Sequence, residues 1–185
     1  GRSVGADSGY ADANADPDDL PQACTHTTWA ARTGEPASPH LPRRIDTDMA
    51  AILYTSGSTG RPKGVVLSHR NMVAGAESVA SYLENRPGDR LLAVLPFSFD
   101  YGLSQLTTAF HSGASVALLD YLMPRDVLRG VERHAITGLA CVPPLWNQLA
   151  QLEWPDRARQ SLRYITNSGG AMPRATLRRL REALP

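Results

Sequence analysis

Cysteine is nearly absent from this chain, with two in 185 residues, Cys24 and Cys141, at a spacing that makes neither a metal site nor a redox pair. Cys141 sits in an apolar run and reads as a small core residue. No sign of charge dominates: 19 Lys and Arg against 18 Asp and Glu leave a formal net charge of +1. That balance gives no basic field for nucleic acid, and no Lys/Arg run marks a membrane surface. Aromatics are scarce at 6%, and none interleaves the Arg-rich segment Arg174, Arg178, Arg179, Arg181, which reads as a solvated helix face. No apolar run approaches the roughly 18–20 residues needed to span a bilayer. The opening residues are polar and acidic, unlike a signal peptide. The five histidines form no metal cluster; His69 falls at a helix start, His111 and His134 near helix ends. The expected setting is a reducing cytoplasm, with no nucleic-acid partner, no membrane span and no protein metal ligands.

What is present fits one domain or a piece of a larger one. Residues 1–47 are rich in Asp, Ala, Pro and Gly and are expected to be mostly irregular, with Trp29 as one possible anchor. From Asp48 the pattern changes. The chain opens on Gly1 rather than Met and closes on Leu184-Pro185 after a helical pattern, so it is expected to be an internal fragment.

Strand and helix signals alternate from there. Met49 to Leu53 and Val65 to Leu67 read as short strands, the first of them buried. Ser68 can cap a helix through about Glu84, with Met72, Val73, Ala76, Val79, Ala80 and Leu83 on one face. Further strands are expected at Arg90–Leu95, Ser115–Leu119, Ile136–Val142 and Leu162–Thr166. Helices are expected from near Gly102 to Gly113, from Pro124 to about Arg133, over Leu145–Leu152 and after Pro173. The alternation implies βαβ units and an α/β fold with a mainly parallel sheet. Ligands bind such sheets at the carboxyl ends of the strands.

The run Tyr54 to Val65 carries the chemistry. It holds three glycines, four small hydroxyl side chains (Thr55, Ser56, Ser58, Thr59) and Lys63 after a proline. Glycines at 57, 60 and 64 let backbone N–H groups converge on an anion, hydroxyls add neutral donors, and Lys63 adds a compact positive charge. A plain solvent-exposed hairpin would not demand this order of residues. The expected guest is a polyphosphate. Lys63 is followed by Gly64 and Val65, so the P-loop hydroxyl is missing. Gly57-Ser58-Thr59-Gly60 also lacks the spacing of a dinucleotide fingerprint.

Thr55-Ser56-Gly57-Ser58-Thr59-Gly60-Arg61-Pro62-Lys63-Gly64 resembles the signature loop of AMP-forming acyl-CoA synthetases and related adenylate-forming enzymes, including peptide-synthetase adenylation domains and luciferases. The resemblance runs from about Asp48 to Pro185 and implies that residues 48–185 are part of an AMP-binding domain. It implies that Thr55, Ser56, Gly57, Ser58, Thr59, Gly60, Lys63 and Gly64 hold the β- and γ-phosphates of ATP. Asn167-Ser168-Gly169-Gly170-Ala171-Met172-Pro173 resembles the family's Ser-Gly-Gly-Ala-x-x-Pro segment, one residue short between Ala and Pro. Ser168, Gly169, Gly170 and Ala171 are thereby expected to wall the adenine and acyl site.

Leu95-Pro96-Phe97-Ser98-Phe99-Asp100-Tyr101-Gly102-Leu103 is similar to the family's acyl-gating segment, which implies substrate contacts by Phe99, Asp100 and Gly102. Phe99-Asp100 resembles the pair that amino-acid-activating domains carry, whereas Tyr101-Gly102-Leu103 follows the acyl-CoA synthetase form. Asp100 has two readings here: a carboxylate for a substrate ammonium, or a cap for the helix starting near Gly102.

The resemblance implies ATP-dependent activation of a carboxylic acid to an acyl-adenylate, then transfer to coenzyme A, with Mg²⁺ as a further cofactor. The alternatives are an amino-acid-activating adenylation domain serving a carrier-protein thiol, or a nucleotide-binding piece without turnover. The family's catalytic Thr-Glu segment and C-terminal Lys have no counterpart in this sequence, so the chain alone is expected to be inactive. A truncated sheet would also expose an unpaired edge and apolar surface.

Overall fold

The computed structural model describes residues 43–55 and 62–184. Among them, β1 (Met49–Thr55) and β2 (Lys63–Ser68) form a two-stranded antiparallel sheet of their own. Leu53 stands opposite Val65, and Thr55 opposite Lys63. The connection spans only residues 56–62, whereas a parallel crossover needs roughly a dozen or more. An antiparallel hairpin is therefore what the spacing permits. The expectation that Met49 to Leu53 is buried fails: Met49, Ile52, Tyr54, Val65 and Val66 are all exposed. A two-stranded ribbon has no second layer to cover both its faces.

Helix α1 (His69–Tyr82) begins as the sequence implies. The Ser68 hydroxyl accepts the Asn71 N–H at 3.2 Å, and the Asn71 carboxamide oxygen accepts the Ser68 N–H at 3.1 Å. Reciprocal satisfaction of two first-turn donors fixes the start. Ala76 and Ala80 are the buried positions, whereas Val73 is exposed. Gly75 is also exposed, and a methyl group there would meet nothing within 4 Å. Gly75→Ala is expected to raise the unfolding free energy by about 0.5–1 kcal/mol, because glycine loses the most backbone freedom in a helix. Urea unfolding measures this, and an unchanged or lower midpoint would refute it.

The second sheet is parallel throughout, in the order β4-β3-β5-β6. Its strands are β3 (Arg90–Ala93), β4 (Ser115–Leu118), β5 (Gly138–Cys141) and β6 (Tyr164–Asn167). Helices α2 (Asp100–Ser112) and α3 (Pro124–His134) make the first two crossovers. Helices α4 (Pro143–Leu149) and α5 (Asp156–Ser161) make the third, and α6 (Arg174–Ala183) follows β6. Most strands are shorter than expected at their ends, where pairing stops. Helix α4 starts two residues early, with both prolines in its first turn, where a missing N–H has no helical partner to lose. Helix α5 was not foreseen; its six residues are too few to show a helical period. Gly113 ends α2 in the left-handed conformation at φ 70°, as the sequence suggests.

Strand pairing sorts the side chains. Leu92, Leu139 and Ile165 lie in one cross-strand row and belong to the core, with Val127, Val131, Trp146, Leu149, Trp154 and Leu180 from α3, α4, α6 and the loop before α5. Cys141 is fully buried there, and burial pushes its thiol pKa well up, so it is an inert core residue. The adjacent row, Leu91, Gly138 and Tyr164, points the other way. Leu91 and Tyr164 face a space bounded by α1 and α2.

The amino ends of three parallel strands are locked by one carboxylate. Asp89, 3% exposed, accepts two bonds from Arg163, Nε to Oδ1 at 2.9 Å and Nη2 to Oδ2 at 2.6 Å. It also accepts the Thr137 hydroxyl at 2.8 Å and the Arg86 N–H at 2.8 Å. Burial alone would push this carboxyl up. The bonds from Arg163, Thr137 and Arg86 outweigh it and hold the pKa well below the usual carboxylate range.

Candidate active site

The opposite, carboxyl ends of the strands carry the expected site residues. Strand β3 runs into Leu95-Pro96-Phe97-Ser98-Phe99, β5 into Val142 and Pro143, and β6 into Ser168-Gly169-Gly170. Gly169 adopts φ 78°, a left-handed conformation that suits glycine. A methyl group there would lie 3.5 Å from Val142 Cγ1 and 3.9 Å from Phe99 Cζ. All three strand ends therefore meet at Gly169. The turn is held by Asn167, whose Nδ2 donates to the Gly170 carbonyl at 2.8 Å. Ser168, Gly169, Gly170 and Ala171 are exposed, open to a ligand.

Helix α2 starts at Asp100, two residues before the expected Gly102. Phe99 occupies the N-cap position, so Asp100 is a first-turn residue rather than the cap. Its Oδ1 accepts the Tyr101 N–H at 2.7 Å, and its charge complements the helix dipole. Gly102 packs its Cα against the carbonyl of Pro96, where a Cβ would fall 2.1 Å from the oxygen. Gly102 is buried, and its close approach sets how near the helix start lies to the β3 loop.

The hairpin meets this helix start. A cavity of about 300 Å³ is lined by Leu53, Tyr54, Thr55, Val65, Phe99 and Asp100, with Leu67 alongside. Thr55 ends β1, Lys63 begins β2, and the Thr55 hydroxyl donates to the Lys63 carbonyl at 3.4 Å. Gly64 is exposed, and its Cα faces Ile52, whose Cγ2 would lie 2.9 Å from an added Cβ. The remaining loop residues, Ser56, Gly57, Ser58, Thr59 and Gly60, lie outside the described residues. The two glycine-rich loops belong to different sheets. The first rises from the hairpin and the second from β6, and Phe99 contacts both neighbourhoods.

The sequence also gave no sign of a bridge beneath this site. The Tyr101 and Thr166 hydroxyls are 2.5 Å apart, and Trp146 Nε1 donates to the Thr166 carbonyl at 3.0 Å. Burial pushes the Tyr101 phenol up to about 12, against a smaller downward effect of the Thr166 bond, so it stays protonated at neutral pH. The rings of Phe99 and Tyr101 meet edge to face at 6.3 Å between centroids. Phe99, Tyr101 and Thr166 thus tie α2 to β6 just before the second loop.

A family model described as AMP-binding enzyme matches residues 6–185. This chain belongs to the AMP-binding enzyme family. The match also takes in much of the Asp/Ala/Pro-rich segment before Asp48. The chain is 37% identical over 150 residues to an L-proline–[L-prolyl-carrier protein] ligase of Streptomyces coelicolor, covering 78% of this chain and 28% of the relative. In structure it resembles VinN solved with L-aspartate, at TM-score 0.71 and 30% identity, covering 80% of this chain and 38% of VinN. It also resembles the O-succinylbenzoate coenzyme A synthetase of Bacillus subtilis in complex with AMP, at TM-score 0.68 and 33% identity, covering 76% and 36%. The chain thus spans little more than a quarter of that curated relative and over a third of those solved chains. AMP-binding enzymes of this kind are adenylate-forming ligases, some acting with coenzyme A and some with carrier proteins. Among the described residues no helix is long and apolar enough to cross a membrane.

Proposed function

We propose that this chain supplies the nucleotide- and acid-binding core of an AMP-forming acid–thiol ligase. The observation that carries the reading is the shared cavity in which Thr55 at the root of the glycine-rich loop faces Phe99 and Asp100. ATP would be held by Thr55, Ser56, Gly57, Ser58, Thr59, Gly60, Lys63 and Gly64 at its β- and γ-phosphates, and by Ser168 to Ala171 nearer the adenylate. The open backbone at Gly169 and Gly170 suits a close-lying flat group. The nucleotide supplies an activated phosphorus: the substrate carboxylate attacks the α-phosphorus, pyrophosphate departs, and a thiol then displaces AMP from the acyl carbon. The chain's own part is to hold the phosphates, orient the carboxylate and offset charge with Lys63. Mg²⁺, which is held mainly by substrate phosphates and water with one or two carboxylates, would accompany the nucleotide and offset the charge of the departing pyrophosphate.

The thiol we propose is coenzyme A. Amino-acid activation for a carrier protein is a second reading, favoured by Asp100, whose carboxylate is exposed at the cavity where a substrate ammonium could pair with it. Its bond to Tyr101 N–H leaves that role compatible with a first-turn position. In the longest polypeptide that carries this chain, Lys63→Ala is expected to slow acid-dependent ATP–pyrophosphate exchange by roughly 10²–10³. Exchange at the original rate would overturn the phosphate assignment. Thiol choice is read by offering coenzyme A and a phosphopantetheinylated carrier in parallel after adenylate formation.

A further inference from the structure

Strand β6 ends on Asn167, which pairs with Cys141 of β5. One residue earlier, the Thr166 carbonyl accepts the indole N–H of the fully buried Trp146. The strand end is thus fastened to the core from two sides. The next four residues, Ser168, Gly169, Gly170 and Ala171, are exposed. Two adjacent glycines bring no side chain to hold a turn and have the most backbone freedom to lose. Asn167 holds them instead, through Nδ2 donating to the Gly170 carbonyl at 2.8 Å. Its Oδ1 is buried and makes no hydrogen bond, so the side chain acts through that single donated bond. An Asn kept only for its turn propensity would leave this oxygen in water, at no cost.

The bond also orients the peptide that follows. The Gly170–Ala171 peptide is trans, and in a planar trans unit the C=O and N–H point in opposite directions. With the Gly170 carbonyl turned toward Asn167, the Ala171 N–H points away from it. That N–H makes no hydrogen bond among the described residues. It lies just beyond the carboxyl end of β6, the end at which parallel sheets bind ligands. Without the Asn167 bond this peptide is free to rotate, because glycine tolerates the flipped form, and the donor then turns inward.

We infer that Asn167 is a positioning residue for the nucleotide: it holds the Gly169–Gly170 turn in its open form and presents the Ala171 N–H to an acceptor atom of ATP. This role rests on the adenylate-forming reading above and adds to it a residue that precedes the glycine turn. Asn167 touches no reacting atom and acts through the turn alone.

The test is ATP–pyrophosphate exchange in the longest polypeptide that carries this chain, with whichever acid exchanges fastest in a panel of fatty, aromatic and amino acids. Asn167→Ala removes the donor. Asn167→Asp keeps the shape but, when ionised, sets an acceptor against the Gly170 carbonyl. Both are expected to raise KM for ATP about tenfold, the upper end of what one hydrogen bond is worth, while KM for the acid stays within about twofold. A merely structural loss would lower the active fraction, and with it the apparent kcat, without moving KM for ATP. The two variants part with pH. Burial pushes the introduced carboxyl above its ordinary range, and acidification gives it back an O–H donor. Relative to the original chain at the same pH, its KM for ATP is expected to fall about threefold or more from pH 8 to pH 5.5, whereas the Asn167→Ala ratio stays constant. An original KM for ATP in both variants, an equal rise in KM for the acid, or the same pH profile in both overturns the inference and leaves the ligase reading standing. Should Asn167→Asp fail to fold at pH 8, Asn167→Ala carries the KM readout by itself. An original chain that exchanges with no acid of the panel overturns both readings.

Discussion

Asp89→Asn is expected to lower the unfolding free energy by about 2–4 kcal/mol at neutral pH. Removing one partner of a buried ion pair typically costs about 3–5 kcal/mol. The Arg163 side chain is 31% exposed against 4% for Asp89, so the stranded guanidinium recovers part of its hydration and the loss is smaller. The carboxylate ties the entry to β3 to Thr137 before β5 and Arg163 before β6, so the loss reaches three strands at once. The pH dependence has a definite sign. The folded carboxyl titrates below the unfolded value, near 3.9, so its contribution is complete above that value. It is lost as the pH falls below about 4 toward the folded-state pKa. Urea unfolding between pH 7 and pH 2.5 should therefore show a steep acid loss in the original chain and a shallower one in Asp89→Asn. Parallel curves would refute the role given to this group.

Gly102→Ala is expected to be at least as damaging, by about 3 kcal/mol or more, although alanine normally favours a helix. The added Cβ would sit 2.1 Å from the Pro96 oxygen, 2.8 Å from its carbonyl carbon and 2.9 Å from the Leu95 oxygen. These are backbone atoms and cannot rotate aside. Relief requires moving the start of α2 away from the β3 loop, which carries Phe99, Asp100 and Tyr101 with it. A displacement near 1 Å at a positioned site costs on the order of 10² in rate. In the longest polypeptide that carries this chain, acid-dependent pyrophosphate exchange is expected to fall by that amount in the fraction that remains folded at low temperature. An original melting temperature together with original exchange would show that the helix start has slack. Gly75→Ala is the matched control, since the same change there meets open space.

The sequence reading succeeded where local chemistry decides the outcome. The Ser68 cap, the Gly113 terminus, the proline-led start of α3 and the glycine turn after β6 are each specified within a few residues. The parallel sheet followed from the alternation of strands and helices. The antiparallel hairpin was legible too, in the length of the 56–62 connection, but the apolar runs on either side suggested buried strands instead. Long-range pairs were out of reach. Asp89 and Arg163 are 74 positions apart, and Tyr101 and Thr166 are 65 apart. Each of these residues has an unremarkable local setting, and only the strand order brings the partners together. Asp100 shows the same limit at short range. Its neighbours allow both a cap and a ligand group, and only the backbone at Phe99 makes it a first-turn residue.

The parallel sheet has two rims with different work. One is fastened by Asp89, Thr137 and Arg163; the other carries the Phe99 and Gly169 turns and the Tyr101–Thr166 bridge. A substitution that weakens the first rim is therefore expected to cost stability across three strands while leaving the loops at the opposite strand ends locally intact.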